Sequence, residues 1–312
     1  LPALYNEIRL AQERIRPYIL RTPLTPSTAL SQKLGASVSL KLESLQPTGS
    51  FKLRGATNRL LQLNPDEKKR GVATVSSGNH GKAVAYISHL LGIPATIFLS
   101  TQTPLNKVDS LRNSGATVII SGNSYDEAEK AAEAYELAHS LVHIPSFDDL
   151  QIIAGQGTIA LEIFEDAPKT RQIIFPLSGG GMGAGIGIVA KRQPQPAQVC
   201  GVSMDHAPVM VRSLEVGHVL SLPEEPTLAD GLKGGLGISN HYTFHCCTGL
   251  CTDGVFSQVH RVAQIPGKII HYRKCIFAGV ISIGEIDRLV SFSVIIEGGD
   301  RHINLAFLHS GY

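Results

Sequence analysis

From residue 71 to residue 191, short apolar runs of strand length alternate with segments of helix length, and this alternation restricts the chain to an α/β fold. Residues 71–75, 95–99, 117–120 and 172–176 read as strands. A helical segment follows each, at about 80–91, 107–113, 124–140 and 184–191. A further helix is expected around 158–164 and a strand over 199–203. Nearer the start, residues 3–18 read as an amphipathic helix with Leu4, Ile8, Ala11 and Ile15 on one face, and residues 38–42 alternate like a strand. Strand–helix alternation at this period requires parallel sheets with helices on both faces. Glycine-rich loops follow two of the strands, which points to two lobes with a cleft between them, residues 48–145 forming the smaller. Residues 245–276 break the pattern, because Cys, His and Gly are scattered there with neither helical nor strand periodicity.

With 43% of its 312 residues hydrophobic, the chain is able to bury a core in one or two domains. Its 28 Lys and Arg nearly balance 26 Asp and Glu, so neither nucleic acid nor an anionic membrane is expected as a partner. No apolar run reaches membrane-spanning length and the first residues lack a signal-peptide pattern, which reads as a soluble, cytoplasmic protein. Cys200, Cys246, Cys247, Cys251 and Cys275 contain no CxxC pair. Even with His245 beside two of them they match no common zinc spacing, so free thiols and no metal are expected.

Three stretches carry chemistry. In Pro47-Thr48-Gly49-Ser50-Phe51-Lys52-Leu53-Arg54-Gly55-Ala56 a turn leads into a helix, with Ser50 as the expected N-cap. Lys52 then sits in the first turn, where the positive end of the dipole disfavours an ammonium and should lower the pKa. A neutral amine attacks carbonyls to form Schiff bases. Taken alone, Lys52 reads more readily as a solvated surface lysine. Ser76-Ser77-Gly78-Asn79-His80-Gly81 lies between a strand end and a helix start, so its backbone N–H groups and hydroxyls suit a carboxylate, although a merely well-capped loop looks similar. Ser178-Gly179-Gly180-Gly181-Met182-Gly183-Ala184-Gly185 follows a strand and suits a phosphate at a helix N-terminus. Gly179, Gly181 and Ala184 also satisfy the loose dinucleotide fingerprint, with Asp205 as its acid. That nicotinamide reading leaves Lys52 and residues 76–81 unexplained.

A Schiff-base lysine, a carboxylate cradle and a phosphate cup together suit pyridoxal phosphate and an amino-acid substrate. The same three stretches resemble the signature segments of the fold-type-II pyridoxal-phosphate enzymes, which are two-lobed and like the tryptophan synthase β chain. Within these the chain resembles the threonine/serine dehydratase and serine racemase branch, from about residue 5 to Phe244 and including Ala229-Asp230-Gly231-Leu232. Gln46-Pro47-Thr48-Gly49, Ile153-Ala154-Gly155-Gln156-Gly157-Thr158 and Gly201-Val202-Ser203-Met204-Asp205 are further similar to the dehydratase subgroup associated with hydroxyectoine breakdown. The resemblance implies a large cofactor-binding domain of residues 1–47 with 146–312, a small mobile domain of 48–145, and a homodimer. It implies that Lys52 carries the cofactor and transfers protons, that Phe51 packs beside the ring, and that Asn79 bonds its 3′-oxygen. Ser178, Gly179, Gly180, Gly181 and Met182 would hold the phosphate, while Ser76, Ser77, Gly78, Asn79 and His80 would receive the substrate carboxylate. The implied reaction is dehydration of L-threonine, L-serine or a related β-hydroxy amino acid to a 2-keto acid and ammonia. Ser77 is the family's second acid/base where the reaction is racemisation.

After Phe244 the resemblance thins. The family's glutamate-glycine-alanine stretch has its nearest equivalent in Ala278-Gly279-Val280-Ile281-Ser282-Ile283-Gly284, with Ala278 in place of the glutamate. Val294-Ile295-Ile296-Glu297-Gly298-Gly299-Asp300 resembles the strand whose Ser or Thr faces the pyridine nitrogen, so Glu297 is expected there, favouring a protonated ring. This atypical tail also motivates a third reading, a homologue that binds cofactor without turnover. Ser203, Met204 and Asp205 offer too few hard oxygens for the branch's divalent-cation site. Nothing in the chain corresponds to the regulatory domain of biosynthetic threonine deaminases.

Overall fold

Helix α1 (Pro2–Ile15) buries Ile8, Ala11 and Ile15 along one stripe, the face its periodicity predicts, and ends three residues short of the expected limit. In this computed structural model the described residues are 2–225, 227, 229–237 and 239–254. Residues 33 and 230 and the strand segments 256–262, 276–277, 280–281 and 293–297 are described by backbone alone. Strand β1 (Leu24–Pro26), helix α2 (Thr28–Leu34) and strand β2 (Ser37–Lys41) follow α1, and a 3-10 turn, Glu43–Leu45, the first of two (the other is Asp230–Leu232), leads toward helix α3 (Lys52–Leu61). Next come α4 (Pro65–Arg70), β3 (Val72–Val75), α5 (Asn79–Leu91), β4 (Ala95–Leu99), α6 (Leu105–Arg112), β5 (Thr117–Ile120), α7 (Tyr125–His139) and β6 (Val142–His143). The chain continues through α8 (Leu150–Asp166), β7 (Gln172–Pro176), α9 (Gly181–Lys191), β8 (Gln198–Met204), α10 (Val209–Val216) and α11 (Thr243–Thr252). Four strands complete the description: β9 (Phe256–Val262), β10 (Ile276–Phe277), β11 (Val280–Ile281) and β12 (Ser293–Glu297).

One sheet is parallel throughout, in the order β5-β4-β3-β6. Its central strands show the period of two expected between helical layers. Val72, Ile97 and Leu99 pack with α3, α5 and α6, whereas Ala73, Val75 and Phe98 pack with Ala128 and Ala132 of α7. The other sheet runs β1-β2-β12-β7-β8-β9 and is mixed. β7, β8 and β9 are parallel, but β1 is antiparallel to β2, and β12 is antiparallel to both β2 and β7. The α/β architecture is as expected, and the mixed sheet is the refinement that the strand–helix period did not contain.

Helix α8 is longer than its sequence suggests and belongs to both cores, with Ile152 packed in one and Ile153 and Ala154 in the other. Asp149 caps it, accepting N–H bonds from Gln151 at 2.7 Å and Ile152 at 2.9 Å. Gly155 and Gly157 obscure the helical signal because glycine is a poor helix former, and here they serve packing instead. A Cβ on Gly155 would lie 2.5 Å from the Arg54 carbonyl oxygen and 2.6 Å from Gly55 Cα, so α3 and α8 cross backbone to backbone. A Cβ on Gly185 would similarly meet Gly157 N at 2.6 Å, where α9 crosses α8.

The aperiodic stretch after Phe244 holds α11 and β9. Within the expected tail motifs, β11 and β12 are described by backbone alone. The rest of 278–284 and residues 298–300 lie outside the described residues. Register pairs Ile296 with Gln172, the first residue of β7, and Glu297 with Ser37. The glycine loop leaves the opposite end of β7, so the antiparallel register sets Glu297 at the far edge of the sheet from that loop. The side chain of Glu297, expected to face the pyridine nitrogen, lies outside the described residues.

Candidate active site

Helix α3 begins at Lys52 itself, with Phe51 rather than Ser50 in the cap position. Ser50 is buried, and its Oγ accepts the Lys52 N–H at 3.4 Å. The Lys52 amine donates to the Ser146 carbonyl at 2.6 Å and lies 5.6 Å from the centre of the Phe51 ring. Burial lowers its pKa from 10.5 to about 8. The direction matches expectation, and desolvation by burial is its cause.

Below Lys52, a fully buried ion network holds the helix start. Arg54 donates through Nε and Nη2 to both oxygens of Glu43, each at 2.8 Å, and to Glu162 at 2.7 and 2.8 Å. Lys41 bonds Glu162 at 2.5 Å and the Thr22 carbonyl at 2.6 Å. Two cations therefore face two carboxylates, which makes the burial of four charges tolerable. The network ties α3 to β2, to the 3-10 turn and to α8, so the position of Lys52 follows from residues that do not touch it.

Residues 76–81 join β3 to α5. Gly78 occupies the cap position, and no side chain caps the helix. Ser76 Oγ accepts the Gly78 N–H at 3.3 Å. A Cβ on Gly81 would sit 2.1 Å from the Ser76 carbonyl oxygen, so this close fold of the loop over the helix requires glycine. Ser76, Ser77, Gly78 and Asn79 are partly exposed, while the His80 ring is buried, with Nε2 2.9 Å from the Ile144 carbonyl. Burial first, and the Lys52 charge second, push the His80 pKa down to about 3, so the ring is neutral. Only the backbone of His80 is left for the carboxylate role expected of it.

The glycine cup begins α9. Gly180 has φ +87°, the left-handed region that favours glycine, and no side chain caps the helix that starts at Gly181. The capped helices α2, α4, α7 and α8 use Ser27, Asn64, Ser124 and Asp149 for that purpose. α6 and α10 also lack a side-chain cap, but proline leads each of them. Among the described residues, only α5 and α9 combine an uncapped start with a glycine-bearing loop directly after a parallel strand.

Residues 144–147, which the sequence reading did not single out, bring the three stretches together. The Ile144 carbonyl meets His80 and accepts from Thr74 Oγ1 at 2.9 Å, and the Ser146 carbonyl holds Lys52. The Phe147 ring fills the space beside Gly179, where a Cβ would be 2.3 Å from it. Backbone carbonyls give no residue-type signal. The one available clue was Asp149 ahead of an apolar run, as an N-cap. Asp205 follows β8, its carboxylate 3.9 Å from His206 Nε2. Among the described residues no group of three or more His, Cys, Asp or Glu is placed to hold a metal, and the four described cysteines form no disulfide with one another.

A family profile, that of the pyridoxal-phosphate dependent enzymes, matches residues 15–260. The chain belongs to this family. It is 42% identical over 307 residues to an L-threonine ammonia-lyase of Thermotoga maritima, covering 96% of this chain and 76% of that protein. Among solved structures, a processed threonine deaminase isoform 2 from Solanum lycopersicum superposes with TM-score 0.78 at 33% identity, covering 84% of this chain and 70% of that one. Maize serine racemase gives TM-score 0.77 at 34% identity, over 82% and 76%. The cofactor of this pyridoxal-phosphate enzyme is therefore pyridoxal phosphate, which also removes the nicotinamide alternative. The residues present suit it, with a desolvated amine of pKa about 8 on one side of residues 144–147 and an uncapped helix start on the other.

Proposed function

We propose that the chain is an ammonia-lyase that converts L-threonine, L-serine or a related β-hydroxy amino acid to a 2-keto acid and ammonia. The observation that carries this reading is the Lys52 amine, desolvated to a pKa of about 8 and bonded to the Ser146 carbonyl, next to Phe147, whose ring lies against Gly179 of the loop that starts α9. When bound, pyridoxal phosphate supplies an electron sink for charge that develops at the substrate α-carbon. Lys52 is the residue that carries the cofactor, with Phe51 beside the ring, Asn79 toward its 3′-oxygen, and Ser178, Gly179, Gly180, Gly181 and Met182 around its phosphate. Ser76, Ser77 and the backbone from Gly78 to His80 receive the substrate carboxylate. With its free base accessible near neutral pH, Lys52 takes the α-proton, and the β-hydroxyl leaves as water. The released enamine tautomerises and hydrolyses in solution to keto acid and ammonia.

Racemisation is the second reading, favoured by Ser77 in the loop and by solved relatives that are serine racemases. Residues 48–145 act as a small mobile domain against 1–47 with 146–312, in a cytoplasmic homodimer. Among the described residues no helix is long and apolar enough to cross a membrane. Assignment to the hydroxyectoine-breakdown subgroup rests on the three further motif stretches alone.

Borohydride reduction followed by peptide mass spectrometry should place a pyridoxyl group on Lys52, and L-threonine should yield 2-oxobutanoate and ammonia. An adduct on another lysine would sink the assignment of Lys52. Cofactor binding without release from L-threonine or L-serine would favour a non-catalytic homologue. Ser77→Ala should abolish any D-serine formation from L-serine while retaining keto-acid release.

A further inference from the structure

We propose that Asp148 is a positioning residue that keeps the phosphate cup in register with Lys52, acting through helix α11. The proposal rests on reading residues 178–182 as that cup. Asp148 follows directly on the two residues that touch Lys52 and the cup: the Ser146 carbonyl accepts from the lysine amine, and the Phe147 ring lies against Gly179. Its carboxylate accepts three backbone N–H bonds at the start of α11, from His241 at 2.6 Å, Tyr242 at 2.9 Å and Thr243 at 2.8 Å. Tyr242 in the cap position contributes no side-chain bond, and Asn240 Oδ1 takes the next N–H, that of Phe244, at 2.9 Å. An anion at a helix N-terminus is well placed both for hydrogen bonding and for the dipole.

Helix α11 in turn backs the cup. At Gly180, whose φ of +87° gives the loop its shape, a Cβ would lie 2.6 Å from Met210 Cε of α10, and 3.3 Å from Cys247 Sγ and 3.4 Å from Thr243 Cβ of α11. The Cys247 thiol, kept protonated by burial, points its S–H at the Gly180 carbonyl, 3.9 Å away. Phe147 therefore supports the cup from one side and Asp148, through α11, from the other, while the preceding carbonyl holds the lysine. A cofactor anchored covalently at Lys52 and electrostatically at the cup has to span a set distance. Residues 146–148 form one continuous piece of chain that touches the lysine, the cup and the cup's support.

The test compares Asp148→Ala and Asp148→Asn with wild type, each stripped of cofactor and titrated with pyridoxal phosphate and separately with inorganic phosphate. Absorbance follows the first titration and phosphorus NMR both. Asp148→Ala should weaken pyridoxal-phosphate affinity about tenfold, the scale of a lost helix cap. Phosphate affinity should fall in parallel, because inorganic phosphate occupies the same cup without any bond to Lys52. Asp148→Asn retains an accepting oxygen and should restore most of the affinity. Variants that melt earlier but bind cofactor and phosphate as wild type does would show a merely structural role and overturn the proposal. A wild-type protein that takes up pyridoxal phosphate at Lys52 but no inorganic phosphate would instead overturn the cup reading.

Discussion

Replacing Lys52 with methionine should stabilise the cofactor-free protein, because the fold holds this amine where an ammonium is poorly solvated. Burial lowers the Lys52 pKa from 10.5 to about 8. At about 1.4 kcal/mol per pH unit this corresponds to about 3 kcal/mol of destabilisation at neutral pH. Partial exposure of the side chain and its bond to Ser146 reduce the expected gain for Lys52→Met to about 2 kcal/mol. Methionine keeps the linear stem and needs no polar partner. The sign follows from linkage, since the folded pKa lies below the unfolded one. Below about pH 8 the amine is charged in both states and the whole penalty applies. Between about 8 and 10.5 the folded amine is neutral while the unfolded one is still protonated, so the penalty shrinks, and above 10.5 it is gone. Urea unfolding of cofactor-free wild type and Lys52→Met should therefore show a gap of about 2 kcal/mol at pH 7, narrowing to about 1 kcal/mol near pH 9.5. A variant no more stable than wild type at pH 7, or a gap independent of pH, would refute the desolvation argument.

Two further perturbations probe the frame around the lysine. Arg54→Met leaves Glu43 and Glu162 buried with Lys41 as their remaining close cation, and should lower stability by about 3–5 kcal/mol in denaturant titrations at pH 7. Burial raises the Glu43 carboxyl, but Arg54 outweighs it and holds the pKa below 4.5. Its contribution is thus full above pH 4.5 and lost as pH falls through the lower folded value, so the wild-type advantage over Arg54→Met should diminish in acid. Gly155→Ala drives a Cβ against backbone atoms of Arg54 and Gly55, which no rotamer change relieves. It should cost about 1–3 kcal/mol and slow cofactor capture at Lys52 followed by stopped-flow absorbance; an unchanged melting temperature would contradict the close α3–α8 crossing.

Much of the site was readable one stretch at a time, because its requirements are local. A glycine-bearing loop after a parallel strand announces an uncapped helix start whatever surrounds it, and α5 and α9 begin within three residues of their expected positions. Helix α7 was equally legible, its Ser124 cap and Ala-rich stripe both being local signals. The helix α8 was legible only in its second half, since Gly155 and Gly157 weaken the local signal for the sake of neighbours more than ninety residues away in the chain. Helix α11 has no helical periodicity at all, and Asp148 stabilises its start from a distant part of the chain.

Residue types and short-range spacing are enough to specify a lysine at a helix start and two glycine-bearing loops ahead of uncapped helices, since each depends on groups only a few residues apart. Their relation to one another depends on groups with no local signature. The Ser146 carbonyl that holds Lys52, the Arg54 network beneath it and the ring of Phe147 at the cup all join chain segments far apart in sequence. Desolvation of Lys52 belongs to the same class, because burial is set by everything packed around an atom and not by its neighbours along the chain. The register of β12 is the corresponding case at the sheet, where direction alone decides which end of β7 receives Glu297.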